Sequence, residues 1–198
     1  MINNFKLIRP LLNFTNEGDF YFLQIIKRRK DNPEIKGDSI IIDNYYIYSL
    51  DTFDKIESKV IDQCEKNNAR AYIRLNKRNA EKVAMIALKK TVDYIMSKDY
   101  KAVKTAYTSA CGDSHSDDNK TWIVDIDVKD PLFNISVSNI INHVMPAGDK
   151  IVVEIPTRSG VHLITKPFNV HEFNKICTAN GIIELSIHKD NPSVLYVN

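Results

Sequence analysis

The stretch "TWIVDIDVKD" (residues 121–130) sets two aspartates, Asp125 and Asp127, one residue apart inside an otherwise apolar run. Side chains alternate across a strand, so Asp125 and Asp127 project together while Val124, Ile126 and Val128 pack on the other side. Neighbouring carboxylates repel. They are tolerated where water reaches them, where one is protonated, or where a cation sits between them. The stretch therefore predicts a strand with one buried face and one acidic face. A solvated strand face, or a pair near a turn capping backbone amides, fits these residues alone as well.

Downstream, "VSNIINHVMPAG" (137–148) reads as a helix ending by Pro146. "DKIVVEIPT" (149–157) and "GVHLITKPF" (160–168) read as two strands joined by a turn at Thr157–Gly160. "VHEFNKICTANG" (170–181) reads as a second helix, and "IIELSIHKDNPSVLYVN" (182–198) as extended segments around a turn at Asn191–Pro192. The order β-α-β-β-α-β is the split βαβ, or RRM-like, arrangement, an antiparallel sheet with helices on one face.

Upstream, "DFYFLQIIKRR" (19–29), "DSIIIDNYYIYSL" (38–50) and "ARAYIRL" (69–75) read as strands. Two helices are expected. One covers 49–68, with Asp51 as N-cap. The other covers 79–99, capped by Asn79 and burying Val83, Ile86, Ala87, Val92 and Ile95. "TSACGDSHSDDNK" (108–120) is small, polar and acidic and reads as a loop. The expected fold class is α+β: one domain over 1–198, made of an N-terminal αβ module (1–107) and an RRM-like half (108–198).

With 198 residues, 43% hydrophobic and 26% charged, the composition is that of a soluble globular chain. The formal net charge of +2 names no partner, but "KRRK" (27–30) and "RLNKR" (74–78) are local basic clusters able to meet phosphate. Solvated lysine-rich faces would look the same. Cys64, Cys111 and Cys177 form no CxxC pattern and fit a reducing compartment. No apolar run approaches the ~20 residues of a membrane span, and the first residues do not read as a signal peptide. A cytoplasmic location with no membrane partner is expected. No P-loop, dinucleotide-binding or H-E-x-x-H signature occurs, which disfavours those enzyme classes.

The chemistry-bearing residues fall into two constellations. Asp125 and Asp127 suit a hard cation such as Mg²⁺ or Mn²⁺, which takes carboxylates together with substrate phosphates. In "IPTRSGVHLITKPF" (155–168), Arg158, Ser159, Gly160 and His162 stand at a turn and strand start, where His162 and Arg158 can grip phosphate oxygens. A structural histidine and a surface arginine remain the plainer alternatives.

Strand-borne "VDID" (124–127) followed by "SGVH" (159–162) resembles the first two motifs of the archaeo-eukaryotic primase superfamily, the primase–polymerases. The serine-to-histidine spacing is one residue longer than that family's S-x-H, so either Ser159 or Gly160 takes the serine's place. The resemblance spans about residues 121–192. It implies a third acidic residue on a later strand, with Asp190 the first candidate and Glu184 the second. It further implies template-directed nucleotidyl transfer. Asp125, Asp127 and Asp190 would hold two divalent ions, Mg²⁺ or Mn²⁺, and Arg158, Ser159, His162 and Lys166 would hold a nucleoside triphosphate. Arg74, Lys77 and Arg78 would meet the nucleic-acid template, and a helicase or other replication partner would act in trans. Two other readings compete. A non-catalytic RRM-like module would stack bases on Trp122, Tyr196 or the Tyr45–Tyr48 stretch. Another two-metal phosphoryl-transfer enzyme, such as a nuclease, would use the same carboxylates.

Overall fold

The acidic strand is the centre of the smaller of two antiparallel sheets. The computed structural model describes residues 1–114, 120–182, 185–190 and 192–198. The first part of the chain runs β1 (Ile2–Asn3), α1 (Phe5–Ile8), a single 3₁₀ turn, β2 (Asp19–Arg28), β3 (Ser39–Ile47), α2 (Leu50–Asn67), β4 (Arg70–Arg74), β5 (Arg78–Asn79), α3 (Ala80–Met96), α4 (Tyr100–Val103) and α5 (Ala106–Asp113). It continues with β6 (Trp122–Ile126), α6 (Pro131–His143), β7 (Ile151–Pro156), β8 (Val161–Thr165), α7 (Val170–Ala179), β9 (Ser186–His188) and β10 (Pro192–Val197).

The second sheet has the order β7-β8-β6-β9, all neighbours antiparallel. β6 and β7 run the same way with β8 between them, so the β6-α6-β7-β8-α7-β9 segment is a split βαβ unit. Alternation along β6 sorts Val124, Asp125 and Ile126 as the sequence predicts, but the strand ends at Ile126, and Val128, expected on the packed side, is exposed. Val124 and Ile126 are fully buried and pack with Leu163 against Val137 and Ile141 of α6 and Phe173 and Cys177 of α7. The α+β class and the placement of helices on one face of this sheet thus agree with the expectation.

The last strand does not. β10 leaves this sheet and enters the first, which has the order β1-β10-β4-β2-β3, with β5 also on β2. "PSVLYV" is an almost unbroken apolar run, buried from Ser193 to Val197. Such a run suits a strand covered on both faces rather than a half-exposed end strand. A boundary at residue 107 therefore falls inside α5 and does not separate the sheets. The main core crosses it too. Ile123, Ile155 and Ile164 of the second sheet pack with Phe5, Ile25, Phe53, Ile73 and Leu195.

Four local expectations are corrected. Residues 106–113 are helical, because Ala106, Ala110 and Cys111 fall on one face and are buried there. Residues 115–119 of the expected loop lie outside the described residues. Helix α6 starts at Pro131, before the expected Val137, since Pro is favoured at the first position and Asp130 caps the Leu132 amide at 2.9 Å. Helix α2 is capped by Ser49, not Asp51, through a 3.1 Å bond from the Thr52 amide. On α3, Val83 and Ala87 are buried but Val92 and Ile95 are about half exposed. Phe20 and Phe22 of β2 lie beneath the N-terminal part of that helix only. Among the described residues no helix is long and apolar enough to cross a membrane.

Candidate functional site in the cleft between the sheets

Asp125 lies opposite His162 of β8 on one side and Ser186 of β9 on the other. Its side chain is 30% exposed, and its Oδ1 stands 3.5 Å from Nε2 of His162. The other ring nitrogen, Nδ1, is 3.0 Å from Oγ of Ser193 on β10. Serine, histidine and aspartate thus stand in a row, as in hydrolytic triads. The hydroxyl, however, is fully buried and no substrate reaches it. Ser193 is a positioning group that fixes the imidazole plane and leaves Nε2 toward Asp125. Burial holds His162 below its ordinary value, against the raising effect of the Asp125 charge, so the ring is neutral at pH 7.

Asp127 follows the end of β6 and is exposed. Its surroundings are set by Gly160. A Cβ at that position would stand 1.9 Å from the Ile126 carbonyl oxygen and 2.8 Å from the Val128 amide nitrogen. Only glycine lets the β7–β8 turn lie on the backbone flanking Asp127. The turn is closed by the Thr157 amide donating to the Gly160 carbonyl at 2.9 Å and the Gly160 amide donating to the Thr157 hydroxyl at 3.0 Å. This gives the two residues of the extended "SGVH" spacing different work. Gly160 makes the close backbone approach, and Ser159 lines the cavity beside it.

Asp125, Asp127, Ser159, His162 and His188 form one wall of a cleft of about 460 Å³, with Arg158 at its rim. The facing wall belongs to the first sheet: Arg28, Arg70, Tyr72 and Val194, with Lys30 beyond β2. Two carboxylates therefore look across a polar cavity toward a set of cations. Those cations are already organised. Asp31 takes a bidentate ion pair from Arg70, with both bonds at 2.7 Å, and a third contact at 2.9 Å from Arg158. Asp31 thereby links the first sheet to the β7–β8 turn. The Arg70 hydrogen bonds hold its carboxyl below the usual aspartate range despite partial burial.

Several expected site residues lie elsewhere. Asp190 does not line the cleft. Its carboxylate bonds the fully buried Arg78 at 2.6 and 3.0 Å, Arg74 at 3.3 Å and Asn76 at 3.1 Å. The carbonyl of Asp190 accepts a further bond from Arg74. The structure thus places Asp190, expected at a metal, and Arg74 and Arg78, expected at the template, in contact with one another and outside the cleft lining. Arg78 is 0% exposed and also donates to the carbonyls of Cys111 and Asn76, so it presents nothing to a polyanion. Lys77 is tied to the buried Asp19 at 2.7 Å. "RLNKR" is an internal ion-pair block, because burial of the Asp190 carboxylate needs guanidinium partners. Lys166 follows the end of β8 that pairs with Trp122, away from His162, and is exposed. Glu184 lies outside the described residues.

Arg70, Tyr72 and His188 are cleft residues that no sequence motif marks. Arg28 and Lys30 belong to the basic run "KRRK", at the end of β2 and in the turn beyond it. Arg70 and His188 carry no such signal. Among the described residues, no group of three or more His, Cys, Asp or Glu side chains is arranged to hold a metal ion. No family model, no curated protein and no solved structure matches this chain.

Two predictions follow from these ion pairs. Asp190→Ala strands the buried Arg78 charge and should cost about 3–5 kcal/mol in urea denaturation; a loss within experimental error would contradict the structural role. Because Asp31 has a depressed pKa in the folded state, its stabilisation is present above the ordinary value of 3.8 and lost as pH falls through the lower folded value. Asp31→Asn should therefore be less stable than the parent at neutral pH, with a gap that narrows in acid. A gap independent of pH would contradict this.

Proposed function

We propose that the cleft is a metal-dependent nucleotidyltransferase site of primase–polymerase type, joining nucleotides on a nucleic-acid template. The observation that carries this reading is the pairing of Asp125 and Asp127 on one wall with Arg28, Arg70 and Arg158 on or beside the other, around a cavity able to take a nucleotide's phosphates. The carboxylate pair suits one Mg²⁺ or Mn²⁺ whose remaining shell is water and phosphate oxygen. Such an ion, when bound, would favour ionisation of an attacking hydroxyl and offset charge on the phosphates. The protein's part is positioning. Ser159 and Arg158 meet the phosphates from the turn, and the neutral His162, held by Ser193, donates or accepts at their edge. Arg70 and Arg28 close from the opposite sheet.

The stacking-module reading is less well supported. Tyr196 is buried with its hydroxyl on Glu65, Tyr45 is bonded to Gln63, and Trp122 packs against Phe168. Those rings are committed to packing rather than spread as a platform for bases.

The test is incorporation of nucleoside triphosphates on a primed template with Mg²⁺ or Mn²⁺. The double variant Asp125→Ala, Asp127→Ala should fold with at least parental stability, since two repelling charges are removed, and incorporation should fall to background. Incorporation retained by the double variant would refute the proposal. Metal-dependent cleavage of template alone, without synthesis, would reassign the cleft to a nuclease.

A further inference from the structure

The turn after β2 and the turn between β7 and β8 meet at the rim of the cleft through the ion pair of Asp31 with Arg158, at 2.9 Å and 127 positions apart in sequence. The two ends of this pair are unequally held. Asp31 is 10% exposed, its amide donates to the Arg28 carbonyl at 3.1 Å and its own carbonyl accepts from the Asn68 side chain at 3.0 Å. Arg70, also 10% exposed, grips its carboxylate with two bonds. Arg158 is 58% exposed and reaches Asp31 through one nitrogen; among the described residues its guanidinium has no other partner. Charge around Asp31 is also unbalanced. Arg28, Lys30, Arg70 and Arg158 all border the cleft. The Arg28 guanidinium meets the Tyr72 hydroxyl at 3.2 Å and no carboxylate, and Lys30 makes no ion pair among the described residues. A cleft wall with such an excess of cations draws in a further anion.

We propose that Arg158 is a latch with two positions: it rests on Asp31 in the free protein and swings onto the phosphate of a ligand in the cleft, which frees the two turns from each other. The latch rests on the phosphate-binding reading of the cleft and adds how the rim is held while the cleft is empty. Asp31 is a tethered substitute for the ligand's anion. Arg158 is the partner that leaves, because a singly bonded ion pair with one exposed member contributes little. Arg70 stays, because breaking a bidentate pair between two largely buried groups strands both charges. A phosphate offers the planar fork of Arg158 two oxygens, where Asp31 gives it one. After the exchange, Asp31 still holds Arg70 in place beside the same ligand. The carboxylate thus competes with the ligand for one arginine while fixing another.

Titration calorimetry with inorganic pyrophosphate and Mg²⁺ tests the latch. Asp31→Asn keeps an oxygen that accepts from Arg70 but carries no charge to retain Arg158, so it should bind pyrophosphate roughly tenfold more tightly than the parent chain. Equal or weaker binding by a folded Asp31→Asn would assign Asp31 to positioning alone and overturn the inference, and so would failure of both chains to bind. A crystal structure of the parent chain with pyrophosphate needs no variant. Arg158 should have left Asp31 for a phosphate oxygen while both Arg70 bonds remain; pyrophosphate bound with the Arg158–Asp31 contact intact would overturn the latch equally. Neither measurement uses a nucleotide or a template. Nucleotide incorporation can therefore fail while the latch stands, and it can succeed in a protein whose Arg158 never leaves Asp31.

Discussion

The cleft exists because β10 belongs to the first sheet while β9, a few residues earlier, belongs to the second. A chain that changes sheets at this point ties the two sheets together. The segment just before the change is held by Asp190, whose carboxylate meets Arg78 and Arg74, and by Asn76, whose side chain bonds Thr121, Lys189 and Asp190 together. Such a buried ion pair adds little net stability against an apolar alternative, but breaking it leaves a stranded charge. Its use here is to fix one arrangement. From that arrangement follow the Ser193 contact that orients His162 and the placement of Arg70 and Tyr72 across from Asp125.

Charge within the cleft is arranged as two walls of opposite sign rather than as intimate pairs. Asp125 and Asp127 have no arginine or lysine partner among the ion pairs of the described residues; Asp125 has only the neutral His162. The opposite cations are already occupied, since Asp31 holds both Arg70 and Arg158. On the proposed reading, an incoming phosphate meets guanidinium groups set in place by a carboxylate it must share or displace. The carboxylate pair remains open to a cation that arrives with the phosphate. That asymmetry favours a charged ligand carrying its own counterion over a bare anion or a bare metal.

Much of the second sheet was legible in the sequence, because a strand with one apolar and one acidic face declares its register. Val124, Asp125 and Ile126 could point only one way once Leu163 and the two flanking helices were read. Strand β10 was misplaced because local pattern says that "SVLYV" is buried but not which sheet buries it. The same limit explains Asp190. A carboxylate between Lys189 and a turn looks available until Arg78, far away in sequence, is seen beneath it. Arg78 itself sits in a run of polar residues that reads as surface. The cationic wall was half visible: "KRRK" stands out by composition, whereas Arg70 lies alone beside an alanine in a short strand. The exposed side of α3 was read as core because amphipathic spacing identifies a face without saying whether the protein has anything to lay against it.

The central claim is that Asp125 and Asp127 gather a divalent cation together with a nucleotide's phosphates in the cleft. Anomalous diffraction from crystals grown with Mn²⁺ and a non-hydrolysable nucleoside triphosphate measures this directly. A manganese peak between the two aspartates, with the phosphates running toward Arg158, is the predicted result. A nucleotide bound elsewhere, or a cleft that stays free of manganese while the nucleotide binds, would contradict it.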